Sequence, residues 1–235
     1  MKYYIFLMLL FVPTQHWAQK IEVIETNDTL QQPKYRQFSY LSPNISLSQA
    51  VYVAKIKASG SLKNISKLYE AIKVKAQELG GNAFRFDRFI ANEPQLGELT
   101  LWVYYANEAV FEVNAEALPK NKLYVFGSDN FLDTKLQSYK VQGQKQEITT
   151  GTYRTYDLTL QDELRINKGG FTGSTLFLSK QTEGYCYFLN FGGIGLAEAA
   201  INPYGGVGVA ITTGSIHHVD PDLALLLLHI FKEKQ

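Results

Sequence analysis

The sequence predicts an α+β fold: a small βαββ domain over residues 19–120, then a mostly antiparallel β-sandwich with a C-terminal helix over residues 121–235. A strongly amphipathic stretch, Asn64 to Leu79, is flanked by segments that alternate apolar and polar residues. After Pro119 come short β-rich segments separated by Gly, at a spacing that suits sandwich strands. The chain closes on Asp220-Pro221 and an apolar run, which is how a helix begins.

Taken in order, Ile21 to Leu47 is polar and irregular, with Pro33 and Pro43, and is expected to be a leading strand or arm. Ala50 to Ala58 has a strand pattern, with Tyr52, Ala54, Ile56 and Ala58 on one face and Lys55 and Lys57 on the other. Gly60-Ser61 ends it. In the helix, Ile65, Leu68, Ile72, Ala76 and Leu79 form the apolar stripe, and Lys67, Glu70, Lys73 and Gln77 face water. Gly80-Gly81 stops it with residues that tolerate positive φ. Ala83 to Ala91 sets Phe84 and Phe86 against Arg85 and Asp87, and Leu99 to Tyr105 is a further strand. The pattern of Ala109 to Leu118 fits helix and strand equally.

Beyond Pro119-Lys120-Asn121, strands are expected at Lys122–Phe126, Ser138–Gln142, Gln146–Thr149, Thr152–Leu158, Glu163–Asn167, Thr175–Lys180 and Tyr185–Phe191. A Gly-rich connection from Gly192 to Gly208 precedes a strand at Val207–Thr212. Asp220 caps a last helix running to about Lys234.

The first 18 residues have the parts of a cleavable export signal. Lys2 supplies the positive start, Tyr3 to Val12 the apolar run, and Ala18 the small residue before the cut. The run is about ten residues, against the roughly 20 that a membrane span needs. His16 stands where a small or aliphatic residue is usual. The expected mature chain is exported, periplasmic or secreted, with no integral span. No Cys near the cut offers a site for lipid attachment.

Removing residues 1–18 removes Lys2 and no acid, so the 23 basic residues become 22 against 22 acidic ones. A formally neutral chain has no field with which to neutralise a phosphate backbone, and nucleic acid is disfavoured as a partner. Aromatic residues make up 13% of the chain, with 15 Tyr. An apolar ring with a polar tip suits strand faces and wet edges. Cys186 is the only cysteine, so no internal disulfide forms; its strand context makes it an inert core thiol.

Two stretches resemble known families. Ala76-Gln77-Glu78-Leu79-Gly80-Gly81-Asn82-Ala83 is similar to the Ala-x-x-x-Gly-Ala-Asn-Ala motif of small bacterial envelope βαβ domains. An outer-membrane stress-sensor lipoprotein and the presumed heavy-metal-binding envelope domains carry that motif. The resemblance implies a fold rather than a chemistry, because Gly and Asn serve a tight helix-to-strand turn. The sensor's paired cysteines have no counterpart here. From Lys122 to about Phe231, Leu123-Tyr124-Val125-Phe126, Gly151-Thr152-Tyr153 and Tyr185-Cys186-Tyr187-Phe188 resemble uncharacterised bacterial envelope β-sandwich domains.

No residue pattern identifies a catalytic, cofactor or metal site. His217-His218-Val219-Asp220-Pro221-Asp222 holds metal-ligand types, but adjacent histidines in an extended segment point opposite ways and Asp220 is needed as a cap. A polar loop before the last helix accounts for it better. Gly205-Gly206-Val207-Gly208 precedes a β-type run rather than opening a helix and lacks a following Gly-Lys-Ser/Thr. Ser174 does not sit in a Gly-x-Ser-x-Gly elbow. The triplets at Asn27, Asn44 and Asn64 are chance glycosylation matches, and Asn64 fits a helix start. The expectation is an exported bacterial envelope protein of binding or structural role, its partner another envelope protein or a small ligand. Two alternatives stand beside it: a carboxylate-based hydrolase in the β domain, and membrane association through the Gly-rich segment 191–211.

Overall fold

Alternation along the first strands sends one set of side chains to a core and the other to solvent. The computed structural model describes residues 19–27, 36–160, 162–169, 173–180, 184–191 and 216–234. The fold is α+β and has a C-terminal helix. Its first part comprises β1 (Lys20–Thr26), β2 (Ser39–Tyr40), β3 (Val51–Ser61), α1 (Ile65–Glu78), β4 (Ala83–Glu93), β5 (Leu96–Tyr105) and α2 (Glu108–Ala117). The strands make one sheet in the order β1-β3-β5-β4-β2, antiparallel except for the β2/β4 edge. The irregular arm expected before Leu47 therefore supplies both edges of the sheet. The ambiguous stretch at Ala109 is a helix, capped by the Asn107 side chain, which accepts from Val110 N–H.

α1 begins at the Asn64 cap, which accepts from Lys67 N–H. It buries Ile65, Leu68, Tyr69, Ile72 and Ala76 against Ala54, Ile56, Ala58, Leu99, Leu101 and Val103 of the sheet. Leu79 is the cap residue rather than part of the helix. The two glycines after it have separate reasons. Gly80 has φ of 86°, the left-handed conformation. Gly81 does not; a Cβ there would lie 2.3 Å from Val103 Cγ1, so it is needed for close approach to the sheet.

The second part comprises β6 (Lys122–Phe126), β7 (Gln137–Val141), β8 (Gln144–Ile148), β9 (Thr152–Asp157), β10 (Leu164–Lys168), β11 (Ser174–Leu178), β12 (Tyr187–Asn190), β13 (His217–His218), α3 (Pro221–Ile230) and β14 (Lys232–Glu233). They form a four-stranded sheet, β11-β10-β7-β8, and a five-stranded sheet, β13-β12-β6-β9-β14. The five-stranded sheet departs from antiparallel order twice, at β12/β6 and β14/β9. α3 ends at Ile230, short of the expected Lys234. Phe231 leaves the helix in an extended conformation, packs edge-on against Phe126 and Phe131, and delivers β14 to the free edge of β9.

β6 is apolar on both faces because both are covered. Leu123 and Val125, with Leu189, meet Tyr139, Val141, Ile148, Ile166 and Leu178 of the four-stranded sheet. Tyr124 and Phe126 turn the other way and join Phe188, the α3 leucines and the α1 core in one hydrophobic cluster. That cluster crosses the boundary expected at residue 120. α3 sits in it with Leu223, Leu226 and Leu227 buried, each contributing about 2 kcal/mol of burial. Among the described residues no helix is long and apolar enough to cross a membrane. The strand expected at Val207–Thr212 and the Gly192–Gly208 connection lie outside the described residues.

Candidate functional site: the open face of the first sheet

The face of the first sheet away from α1 carries a group of partly exposed aromatic and charged side chains. Register places Lys55 and Arg85 on either side of Trp102, in one row across β3, β5 and β4. A bulge between Phe86 and Arg88 frees Asp87 from the pairing pattern. Its carboxylate accepts from Trp102 Nε1 at 2.8 Å through one oxygen and faces Lys55 Nζ at 3.2 Å through the other. Lys55 Nζ also stands 3.9 Å from the Trp102 ring centroid. The indole is thus held at its edge and on one face.

A second bulge, between Tyr52 and Ala54, overturns the expected facing of Tyr52. With one extra residue, Val53 and Ala54 are both buried, and Tyr52 moves to the open face. Its ring lies 5.9 Å from Trp102 and 6.0 Å from Tyr104, making a continuous row of three aromatic rings. Tyr52 Oη donates to Glu25 at 3.3 Å. Burial first, then the Glu25 carboxylate, push its phenol up to about 12, so it remains a donor at neutral pH. Lys57 pairs with Glu22 at 2.9 Å on the same face.

Arg85 anchors one margin. Its guanidinium donates to the carbonyls of Ser42 and Ile45 at 2.7 and 2.6 Å, which fixes the loop between β2 and β3. Two buried asparagines tie down the surrounding backbone in the same way. Asn82 accepts from Ala106 N–H at 2.7 Å and donates to Ala106 O at 2.8 Å. Asn114, on α2, accepts from Ser42 N–H and donates to Tyr40 O, both at 2.8 Å. Each amide acts as a short strand neighbour, satisfying backbone groups that burial would otherwise leave unpaired. The loop and strand ends around this face are therefore held by side-chain hydrogen bonds.

The candidate residues of the sequence lie elsewhere. His217 and His218 form β13, paired with Asn190 and Leu189, and Asp220 caps α3 through Leu223 N–H. Among the described residues no group of three or more His, Cys, Asp or Glu could hold a metal ion. Cys186 lies just before β12 rather than in a strand, and its thiol donates to Pro119 O at 3.1 Å. Burial raises its pKa, which disfavours the thiolate. Ser174 opens β11. The Gly205–Gly208 stretch lies outside the described residues. Two carboxyls have raised pKa values, chiefly through burial. Asp129 accepts from Ser66 N–H at 3.1 Å, and Asp222 from Tyr40 N–H at 2.7 Å. Each is engaged by backbone.

The aromatic row is legible in the sequence only in part. Trp102 and Tyr104 alternate with Leu101 and Val103, so they share the polar face of β5. Tyr52 is hidden by its bulge. No family model, curated protein or solved structure matches the chain.

Proposed function

We propose that this is an exported bacterial envelope protein that binds a partner protein on the open face of its first sheet. The observation that carries the reading is the fixed row of Tyr52, Trp102 and Tyr104, with Asp87 and Lys55 holding the indole and Arg85 beside it. Tyr, Trp and Arg dominate the residues that carry binding energy at protein interfaces, and a row ordered in advance avoids entropy lost on association. Two cations on this face are paired with acids, Lys55 with Asp87 and Lys57 with Glu22, and Arg85 is engaged by backbone carbonyls, which favours a partner of mixed polarity over a polyanion. Export rests on the character of residues 1–18, and a bacterial envelope setting on the resemblances of residues 76–83 and 122–231. The same resemblances support reading residues 19–120 as a βαββ unit and 121–235 as a sandwich.

A photoreactive amino acid in place of Lys57, in the producing cells, tests both halves. The expected result is one crosslinked adduct of defined mass in the envelope fraction, abolished by Trp102→Ala and unaffected by Lys140→Gln on the distant sheet. An adduct that survives Trp102→Ala removes the platform reading. Recovery of the chain from the cytoplasm with residues 1–18 intact removes export.

A further inference from the structure

The outer face of the four-stranded sheet has a different character, and its register explains why. Lys145 stands directly opposite Lys140, Lys140 opposite Asn167, and Asn167 opposite Thr175, giving a single row across β8, β7, β10 and β11. Like charges directly opposite in an antiparallel pair are destabilising. Arg165 lies two residues along β10 on the same face, its guanidinium 5.8 Å from the exposed Phe177 ring. The Lys168 ammonium comes up from below, donating to Ser138 O at 2.7 Å, and burial and Lys135 both lower its pKa. Glu147 is engaged here, paired with Lys145 at 2.8 Å. Lys140 and Arg165 have no carboxylate partner among the described residues.

Two adjoining depressions open on this face. One, of about 370 Å³, is lined by Ser138, Tyr139, Lys140, Lys145, Asn167, Lys168 and Gly169. The other, of about 280 Å³, is lined by Lys140, Gly143, Arg165 and Asn167. They share Lys140 and Asn167. Lys145 and Lys168 add cations to the first depression and Arg165 to the second, with Lys140 and Asn167 between them and Lys140 and Arg165 separated by roughly 7 Å at the backbone.

We infer that this face binds an acidic polysaccharide, with successive carboxylate or sulfate groups in the two depressions. The cations match the charges. Asn167 Nδ2 donates to Thr175 Oγ1 at 2.8 Å, which leaves the amide oxygen, the Thr175 O–H and the Ser138 hydroxyl as the acceptors and donors that sugar hydroxyls need, and Phe177 offers an exposed ring against which a pyranose can lie. The formally neutral mature chain gives no long-range field, so recognition is local and depends on this face. The site is separate from the aromatic platform and does not depend on it.

The test is binding of oligogalacturonate to the full-length protein at low salt by calorimetry, with neutral dextran, poly-glutamate and inorganic phosphate alongside. Saturable binding of oligogalacturonate is expected, with none to dextran. Lys140→Gln and Arg165→Gln should each weaken it by roughly tenfold, because each removes one charge-assisted hydrogen bond to a sugar carboxylate. Trp102→Ala should leave it unchanged. Because Lys140→Gln relieves the pairing with Lys145, the variant should unfold at equal or higher temperature, so weaker binding does not come from misfolding. The inference is overturned if binding is absent, or if it survives both variants. It is overturned equally if poly-glutamate binds as well as the sugar, which would make the site one for acidic peptides, or if phosphate alone competes as strongly per charge.

Discussion

Asp222 offers the most direct test of how α3 is fastened to the first sheet. It stands in the first turn of α3 and accepts from the N–H of Tyr40 on β2 at 2.7 Å. Burial, reinforced by the neighbouring Asp220 carboxylate, pushes its pKa from the ordinary 3.8 up to about 7; the Tyr40 N–H and Lys73 pull the other way without winning. Because the folded pKa is raised, the folded state holds its proton more tightly than the unfolded chain. Below 3.8 both states are protonated and the group is neutral in its effect. Stability then falls as pH rises from 3.8 to about 7, and the full penalty is present above that. The interval corresponds to about 4 kcal/mol for a fully buried group. Asp222 keeps some solvent contact, which reduces the expected penalty to about 2 kcal/mol. Asp222→Asn preserves the acceptor for Tyr40 N–H and removes the charge, while forfeiting a helix-dipole interaction of about 0.5 kcal/mol. Urea unfolding should show the variant more stable than the parent by about 1.5 kcal/mol at pH ~8, and equal to it near pH ~4. A difference that does not change with pH, or a variant less stable at pH ~8, would refute the reasoning.

His229, about two turns further along the same helix face, should act on the opposite limb. Tyr40 Oη lies 2.6 Å from its Nε2 and Phe86 stacks on its ring at 5.1 Å. Burial lowers the imidazole pKa below 6.5, and Tyr40, raised to about 12 by burial, stays a neutral phenol. The neutral ring shares a hydrogen bond with the phenol through Nε2, its direction set by the tautomer, and this stability is lost as pH falls below 6.5; His229→Phe should flatten that acid limb in pH-dependent melting while costing about 1 kcal/mol at neutral pH. Asn82→Ala removes both bonds to Ala106 in a buried setting and should cost about 3 kcal/mol by denaturant unfolding. Gly81→Ala forces a Cβ to within 2.3 Å of Val103 Cγ1 and should lower the melting temperature by several degrees, with partial recovery in Gly81→Ala/Val103→Ala. Asp87→Asn should loosen the indole, seen as a red-shifted, more quenchable tryptophan emission, with little change in stability because the Lys55 pair is partly solvated.

Residues 64–79 and 220–230 determined their own structure: an Asn or Asp cap, a periodic or unbroken apolar run, and a stop signal are local chemistry, legible wherever the segment goes. The strand alternation of β3, β4 and β5 likewise marked Lys55, Lys57, Arg85 and Asp87 as outward-facing. Tertiary structure decided the rest. The two bulges depend on pairing partners rather than on the strand that bulges, and they alone bring Tyr52 beside Trp102 and Asp87 to the indole N–H. The same holds for Phe231, which could have continued a helix but ends it because Phe126 and Phe131, about a hundred residues earlier, make an apolar slot with a free strand edge alongside. The row of Lys145, Lys140, Asn167 and Thr175 is invisible in sequence, since its members come from four strands and meet only through register. A local signal reports what one segment prefers; a binding face is a property of neighbours, and neighbours are chosen by the core that all of them share.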